Sequence, residues 1–228
     1  MLDRLSCVRQ IAIAALGLGV AIGAQAQTRV SINGLVADSV QVFSQDAMDA
    51  YSLKSVTVSA RGNTAGSGDT FRMPITEIYL GNSKYTGIGG GIVKGGAVGS
   101  ALDISCLSEI TGRRIGLTLA NFRIDYHRKL VMADVTPHGS QTIANQAVYT
   151  YKVRRAMAIE ADASGKLVLD ERLVGLRLTP TMITQMTQAL ELDEVSVAVI
   201  ESIEFGELKQ KIDIAFRSPV SATPYTPQ

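Results

Sequence analysis

Apolar and polar residues alternate with period two along most of the chain, the spacing of half-buried strands. Val56 and Val58 sit between Ser55, Thr57 and Ser59, and Ile115, Leu117 and Leu119 continue the pattern. Phe122, Ile124 and Tyr126 alternate with Arg123, Asp125 and His127, and Tyr149, Tyr151 and Val153 with Thr150, Lys152 and Arg154. Near the end, Ile212, Ile214 and Phe216 alternate with Lys211, Asp213, Ala215 and Arg217. One apolar and one polar face per strand favours antiparallel pairing. Turn-forming residues fall between the runs, at Arg61-Gly62-Asn63, Gly66-Ser67-Gly68-Asp69, Pro137-His138-Gly139 and Ala163-Ser164-Gly165-Lys166. The pattern predicts a mainly β protein, an antiparallel β-sandwich or open barrel with two short helices.

The first helix is expected over Gln45–Tyr51, capped by Ser44, with Ala47, Met48 and Tyr51 on one side. The second starts at Thr179-Pro180, because proline suits the first helical position. Its stripe is Met182, Ile183, Met186, Ala189 and Leu190, and the acids Glu191, Asp193 and Glu194 should end it near Leu190. The run Val195-Ser196-Val197-Ala198-Val199-Ile200 reads as an apolar strand between two glutamates. On a sheet edge it would template pairing with another chain. The glycine-dense stretch Gly87–Gly99 predicts a bulged or irregular connection. From Ser218 onward three prolines and no periodicity predict an extended tail.

The first 26 residues form a unit of their own. Arg4 and Arg9 precede an uncharged run, Ile11 to Ile22, and Ala24-Gln25-Ala26 supplies the small residues of an A-x-A cleavage site before Gln27. This is the pattern of a Sec-type secretory signal peptide, and the apolar run is too short to span a bilayer comfortably. The expected organisation is thus a signal peptide at 1–26, a single β-rich domain at 27–217 and a Pro-rich tail at 218–228. The expected address is the periplasm, the outer-membrane surface or the extracellular space.

Charge narrows the function classes. The chain has 22 basic and 21 acidic residues; two arginines and one aspartate leave with the signal peptide, so the remainder is balanced. Balance argues against a nucleic-acid partner and gives little protection against self-association. Cys7 also leaves, so Cys106 cannot form a disulfide within the chain. Among Leu102, Ile104 and Leu107 it reads as a small buried hydrophobe, with pairing between chains as the other reading.

Motifs for chemistry are missing. Counting from Gly87 or Gly89, the third glycine of a dinucleotide fingerprint falls on Ile92 or Lys94, and Lys94 precedes Gly95, so the phosphate-loop pattern fails too. His127 is expected to face solvent and His138 to sit in a turn, and neither has metal-ligand spacing. No G-x-S-x-G elbow surrounds Ser100 or Ser140. The pair Glu201 and Glu204 resembles pairs on any surface. The basic doublets Arg113-Arg114, Arg128-Lys129 and Arg154-Arg155 fit hairpin ends and edge strands. No catalytic residue, metal site or cofactor follows from these motifs.

Several segments taken in order carry a resemblance. Phe71-Arg72-Met73-Pro74-Ile75 leads to the glycine stretch and Gly99-Ser100-Ala101-Leu102-Asp103-Ile104. Then come Leu117 to Asp125, Met132-Ala133-Asp134-Val135, Leu178-Thr179-Pro180, Ala189-Leu190 and Phe205-Gly206-Glu207-Leu208. The series resembles the HtaA-type domains of secreted and cell-surface haem-uptake proteins. The resemblance implies a β-rich fold and haem bound through a tyrosine of the first segment, for which Tyr51 is the candidate cofactor ligand. The chain departs from that pattern in having no tryptophan and in carrying Ile88 where the family has a glycine-flanked histidine. The expectation is an exported, non-enzymatic β-rich envelope protein with a binding or surface-assembly role. The alternatives are a carrier of haem or another small hydrophobic ligand, an outer-membrane barrel, and an enzyme with an unfamiliar site. Against the barrel, the chain ends in Pro224-Tyr225-Thr226-Pro227-Gln228, without a terminal aromatic.

Overall fold

A computed structural model describes residues 27–81, 91–161 and 167–227. The leader at 1–26, the glycines at 87, 89 and 90 and the turn at 163–166 lie outside the described residues.

Six long strands run as consecutive antiparallel neighbours: β7 (Gly91–Leu107), β8 (Arg114–Asp125), β9 (Leu130–Pro137), β10 (Ile143–Ala161), β11 (Leu167–Leu178) and β12 (Glu207–Phe216). Beyond β12 the order continues through β2 (Leu35–Val42), β5 (Thr70–Pro74) and β4 (Ala65–Ser67). At the other side β7 carries two partners along one edge. Its first half pairs with β6 (Glu77–Gly81), which pairs in turn with β1 (Thr28–Ser31), and its second half pairs with β3 (Thr57–Gly62). The result is one antiparallel sheet of 12 strands, curled into a half-barrel, so of the two architectures expected the open barrel is the one formed. No ladder joins the ends of this order among the described residues.

The curl has local causes, because a bulge bends its strand and increases its twist. Register shifts interrupt β7 against β8 between Ala97 and Ala101, and β8 against β9 between Ala120 and Arg123. Gly99 (φ +86°) and Asn121 (φ +54°) occupy those bulges. The second one explains a feature of the sequence: the buried alternation steps by three from Leu119 to Phe122. Gly91–Gly99 therefore belong to a long strand, bulged at Val93 against β6 and again at Gly99 against β8, rather than to an irregular connection. Where β5 passes into β6 the two flanks of the sheet meet, since Ile75 N donates to Ala37 O at 2.8 Å and Thr76 N to Gly96 O at 2.9 Å.

The concave face holds the core. Phe71, Leu117, Leu119, Val135, Val148, Leu173 and Leu176 are fully buried there, joined by Phe205 and by Met182 and Met186 of a helix. The alternation fails in the middle of β10 and at the end of β12. Val153 is 44% and Phe216 87% exposed, each beside a register shift that turns its side chain outward.

Among the described residues three short helices, not two, lie together at the end of the sheet where β7 turns into β8: α1 (Gln45–Leu53), α2 (Pro180–Ala189) and α3 (Glu194–Ser202). The third corrects the expected strand at Val195–Ile200. Asp193, read as an acid that ends α2, instead caps the next helix, its Oδ1 accepting from Ser196 N at 2.7 Å. That cap and the burial of Ile200 outweigh the strand preference of the valines. No strand edge exists at that position to template association. Among the described residues no helix is long and apolar enough to cross a membrane.

The tail from Ser218 has no regular structure and is tied along the sheet. Asn33 and Val220 exchange two bonds, Asn33 Nδ2 donating to Val220 O at 3.0 Å and Val220 N to Asn33 O at 3.2 Å. Asn63 Nδ2 donates to Ser221 O at 2.7 Å. Asn121 uses its whole amide: Oδ1 accepts from Gly99 N and Tyr225 N, and Nδ2 donates to Asp134 and to Tyr225 O.

Candidate functional site

The helical end forms the candidate site, and local sequence builds it. Ser44 starts α1 by accepting from Ala47 N at 3.1 Å, while its hydroxyl donates to Glu204 O just past α3. Thr179 starts α2 by accepting from Met182 N at 3.3 Å and donates to Ala147 O of β10 at 2.6 Å. Lys54, at the end of α1, reaches Asp193 Oδ2 at 3.0 Å and Glu109 of the β7–β8 turn at 3.8 Å. Ser108 of the same turn donates to Glu191 at 2.8 Å.

Between α1 and α3 lies a narrow apolar cleft over Met186 and Leu190, with Tyr51 in one wall and Val199 and Ile200 in the other. Its cavity is about 20 Å³, so the helices close on it. Four large apolar side chains stand exposed at this end of the sheet: Leu53 (77%), Val195 (74%), Leu107 (64%) and Ile110 (83%). They sit on the segments that Lys54 ties together, around the cleft.

Tyr51 is 3% exposed, with its ring centroid 5.9 Å from that of Phe43 and 6.0 Å from that of Phe205. Its hydroxyl is buried without a hydrogen-bond partner. Burial, and secondarily the neighbouring Tyr149, push its pKa well above the ordinary tyrosine value. An unpaired buried hydroxyl costs about 1–3 kcal/mol, so it marks a place where a partner is wanted.

The other residues singled out in the sequence are dispersed. Cys106 is a buried free thiol, its pKa raised by burial and by Glu191. His127 is exposed in the β8–β9 turn. His138 follows β9, and its Nε2 lies 2.8 Å from Asp103 Oδ1, with Ser105 and Thr118 also donating to Asp103. The carboxylate is the centre of that group, so the histidine is not poised to activate the serine. Ser100 is buried, Ser140 is exposed, and Glu204 pairs with Arg177. Two basic doublets flank hairpin turns; Arg154-Arg155 lies where, among the described residues, β10 pairs with β11 alone. Tyr149 and Tyr151 are core residues, 3% and 5% exposed. Among the described residues no three His, Cys, Asp or Glu side chains gather to hold a metal ion.

One cluster went unread in the sequence. At the other end of the concave face, Glu171 is 2% exposed and accepts from Tyr126 Oη at 2.7 Å and Gln210 Nε2 at 2.7 Å. Burial pushes Glu171 up to about 7, against the opposing pull of the Tyr126 bond and the Met157 backbone N–H. The signal was present as phase: Glu171 is in step with inward Leu173, and Gln210 with inward Leu208 and Ile212.

Comparison with known proteins gives one solved structure of related shape. The C-terminal domain of HtaA from Corynebacterium glutamicum superposes with a TM-score of 0.45 at 12% identity, covering 79% of this chain and 98% of that one. The resemblance read from the sequence thus recurs as a weak structural likeness. No protein-family model matches the chain, and neither does any curated protein.

Proposed function

We propose that this is an exported, non-enzymatic binding protein that takes a small apolar ligand at the helical end of the half-barrel. The orphaned, buried hydroxyl of Tyr51, a residue that lines the apolar cleft, carries the reading. The exposed apolar side chains at this end of the sheet, of which Leu53 lines the cleft, support it, because exposed apolar surface can mark an interaction site. The leader with its A-x-A site supports export.

Haem is the ligand to test first. A tyrosine oxygen is a known type of axial iron ligand, and Tyr51 offers a buried oxygen with no competing bond. In this respect the residues fit. Bound haem would supply the metal centre, while Met186, Leu190 and Ile200 would shield its faces from water. A cavity of about 20 Å³ does not admit a macrocycle, so α1 and α3 must part, with Lys54–Asp193 as the tie that yields.

The test is a haem titration of the purified protein followed by visible absorbance, beside Tyr51→Phe, which keeps the ring and removes only the oxygen. The expected result is a saturable Soret change at one equivalent that Tyr51→Phe abolishes. A change that survives Tyr51→Phe keeps haem and removes Tyr51 as its ligand. No saturable change in the unaltered protein overturns haem binding.

A further inference from the structure

We infer that the outer face of the sheet beside the β8–β9 turn is a binding site for a small oxyanion, a carboxylate or a phosphate. This face points away from the interior and lies at the opposite end of β8 from the helices. A cleft of about 170 Å³ opens there. That is below the roughly 300–1,000 Å³ that holds drug-sized ligands, so it suits a group of a few heavy atoms.

Strand register assembles the walls. Tyr79 of β6 stands opposite Lys94 of β7, Lys94 opposite Asp125 of β8, and Arg123 of β8 opposite Met132 of β9. Arg128 reaches in from the turn, and Asn145 from β10 closes the far side.

Donors and acceptors in this cleft do not balance. The nearby acids are already engaged. Glu77 accepts from Arg29 at 2.6 Å and from Tyr79 Oη at 3.2 Å. Asp125 Oδ1 accepts from Arg128 N at 3.0 Å. Asp134 accepts from Asn145 N at 2.9 Å and Asn121 Nδ2 at 2.8 Å, and lies 3.7 Å from Arg123. The Lys94 ammonium and the Arg128 guanidinium, by contrast, form no ion pair or side-chain hydrogen bond among the described residues. Lys94, Arg128 and the remaining donors of Arg123 outnumber Asp125, the carboxylate that lines the cleft and already accepts from the Arg128 N–H. Ammonium and guanidinium groups offer only donors, and their natural complement is an oxyanion. Met132, opposite Arg123, adds an apolar surface for a short carbon skeleton.

Calorimetric titration tests this with two probes, inorganic phosphate and citrate, on the unaltered protein, Lys94→Gln, Arg128→Gln and the double variant. Saturable binding of at least one probe is expected, weakened about tenfold or more by each substitution. Phosphate without citrate would assign a phosphorylated ligand, and citrate without phosphate a carboxylate. Neither the Lys94 nor the Arg128 side chain makes a hydrogen bond or ion pair among the described residues, so thermal melting of the variants should match the unaltered protein. Absence of saturation with both probes overturns the proposal, as does equal affinity in a folded double variant. If the double variant does not fold, the titrations of the unaltered protein and the single variants decide.

Discussion

Replacing Glu171 with glutamine takes a titrating charge out of the interior and leaves its shape in place. Glu171 lies on β11 directly across from Gln210 of β12, and its bond to Tyr126 spans the concave face to the β8–β9 turn. In the folded protein its pKa stands at about 7, against 4.5 for an unperturbed glutamate. A raised carboxyl pKa means that folding favours the protonated form. The associated stability is fully present below pH 4.5 and is lost as pH rises through about 7. At about 1.4 kcal/mol per unit, the loss across that window is about 3 kcal/mol. With a urea dependence of about 2–3 kcal/mol per molar, this shifts the midpoint by about 1 M. In Glu171→Gln the amide oxygen can still accept from Tyr126 and Gln210, but its NH₂ meets the Met157 N–H, at a cost of about 1–3 kcal/mol. The variant should therefore be less stable than the unaltered protein at pH 4.5 and should gain on it steadily up to pH 8. Urea melts followed by far-UV circular dichroism at half-unit pH steps measure the difference directly, and the other carboxylates cancel in it. A difference that stays constant from pH 4.5 to pH 8 would refute the assigned titration.

Thr179→Ala removes the cap of α2 and the bond to Ala147 O together, and should lower stability by about 1–2 kcal/mol in the same urea assay. Gly206→Ala is expected to be far more damaging. Gly206 has φ +105°, and a Cβ there would stand 1.9 Å from Val42 O, so the variant should lose the β12–β2 ladder and express as poorly folded protein, seen as loss of strand signal in circular dichroism. Asn121→Ala cuts the tail's attachment at Tyr225 together with the bonds to Gly99 N and Asp134 at the bulges. Amide exchange should rise at residues 221–227 well before it rises in β8; equal protection in both proteins would refute that role.

What the sequence made legible was local. Ser44 before α1 and Thr179-Pro180 before α2 announce helix starts through chemistry confined to a few residues, and both helices begin there. Period-two phase placed Leu117, Leu119, Phe122, Ile124 and Tyr149 inward, because burial is decided residue by residue across a pleat. Val195–Ile200 misled because its valines favour strands while the deciding group, Asp193, lies just outside the run. Tyr51 could be placed on its helix but not among its neighbours: Phe205 and Tyr149 come from distant segments that only tertiary packing brings together. The Glu171 cluster was hidden for a related reason, since a lone glutamate or glutamine in an inward phase looks like an interruption until its partners on two other strands are known.

The position of β2 has a consequence for how the molecule comes into being. Val40 pairs with Arg72 on one side and with Lys209 on the other. Synthesis delivers the chain N-terminus first, so β2 and β5 emerge early and wait with one flank bare until nearly the whole chain has followed. Contacts this far apart in sequence form late, and an uncovered strand edge meanwhile invites wrong pairing. The sheet is complete only when β12 inserts beside β2, one of the first strands to have been made.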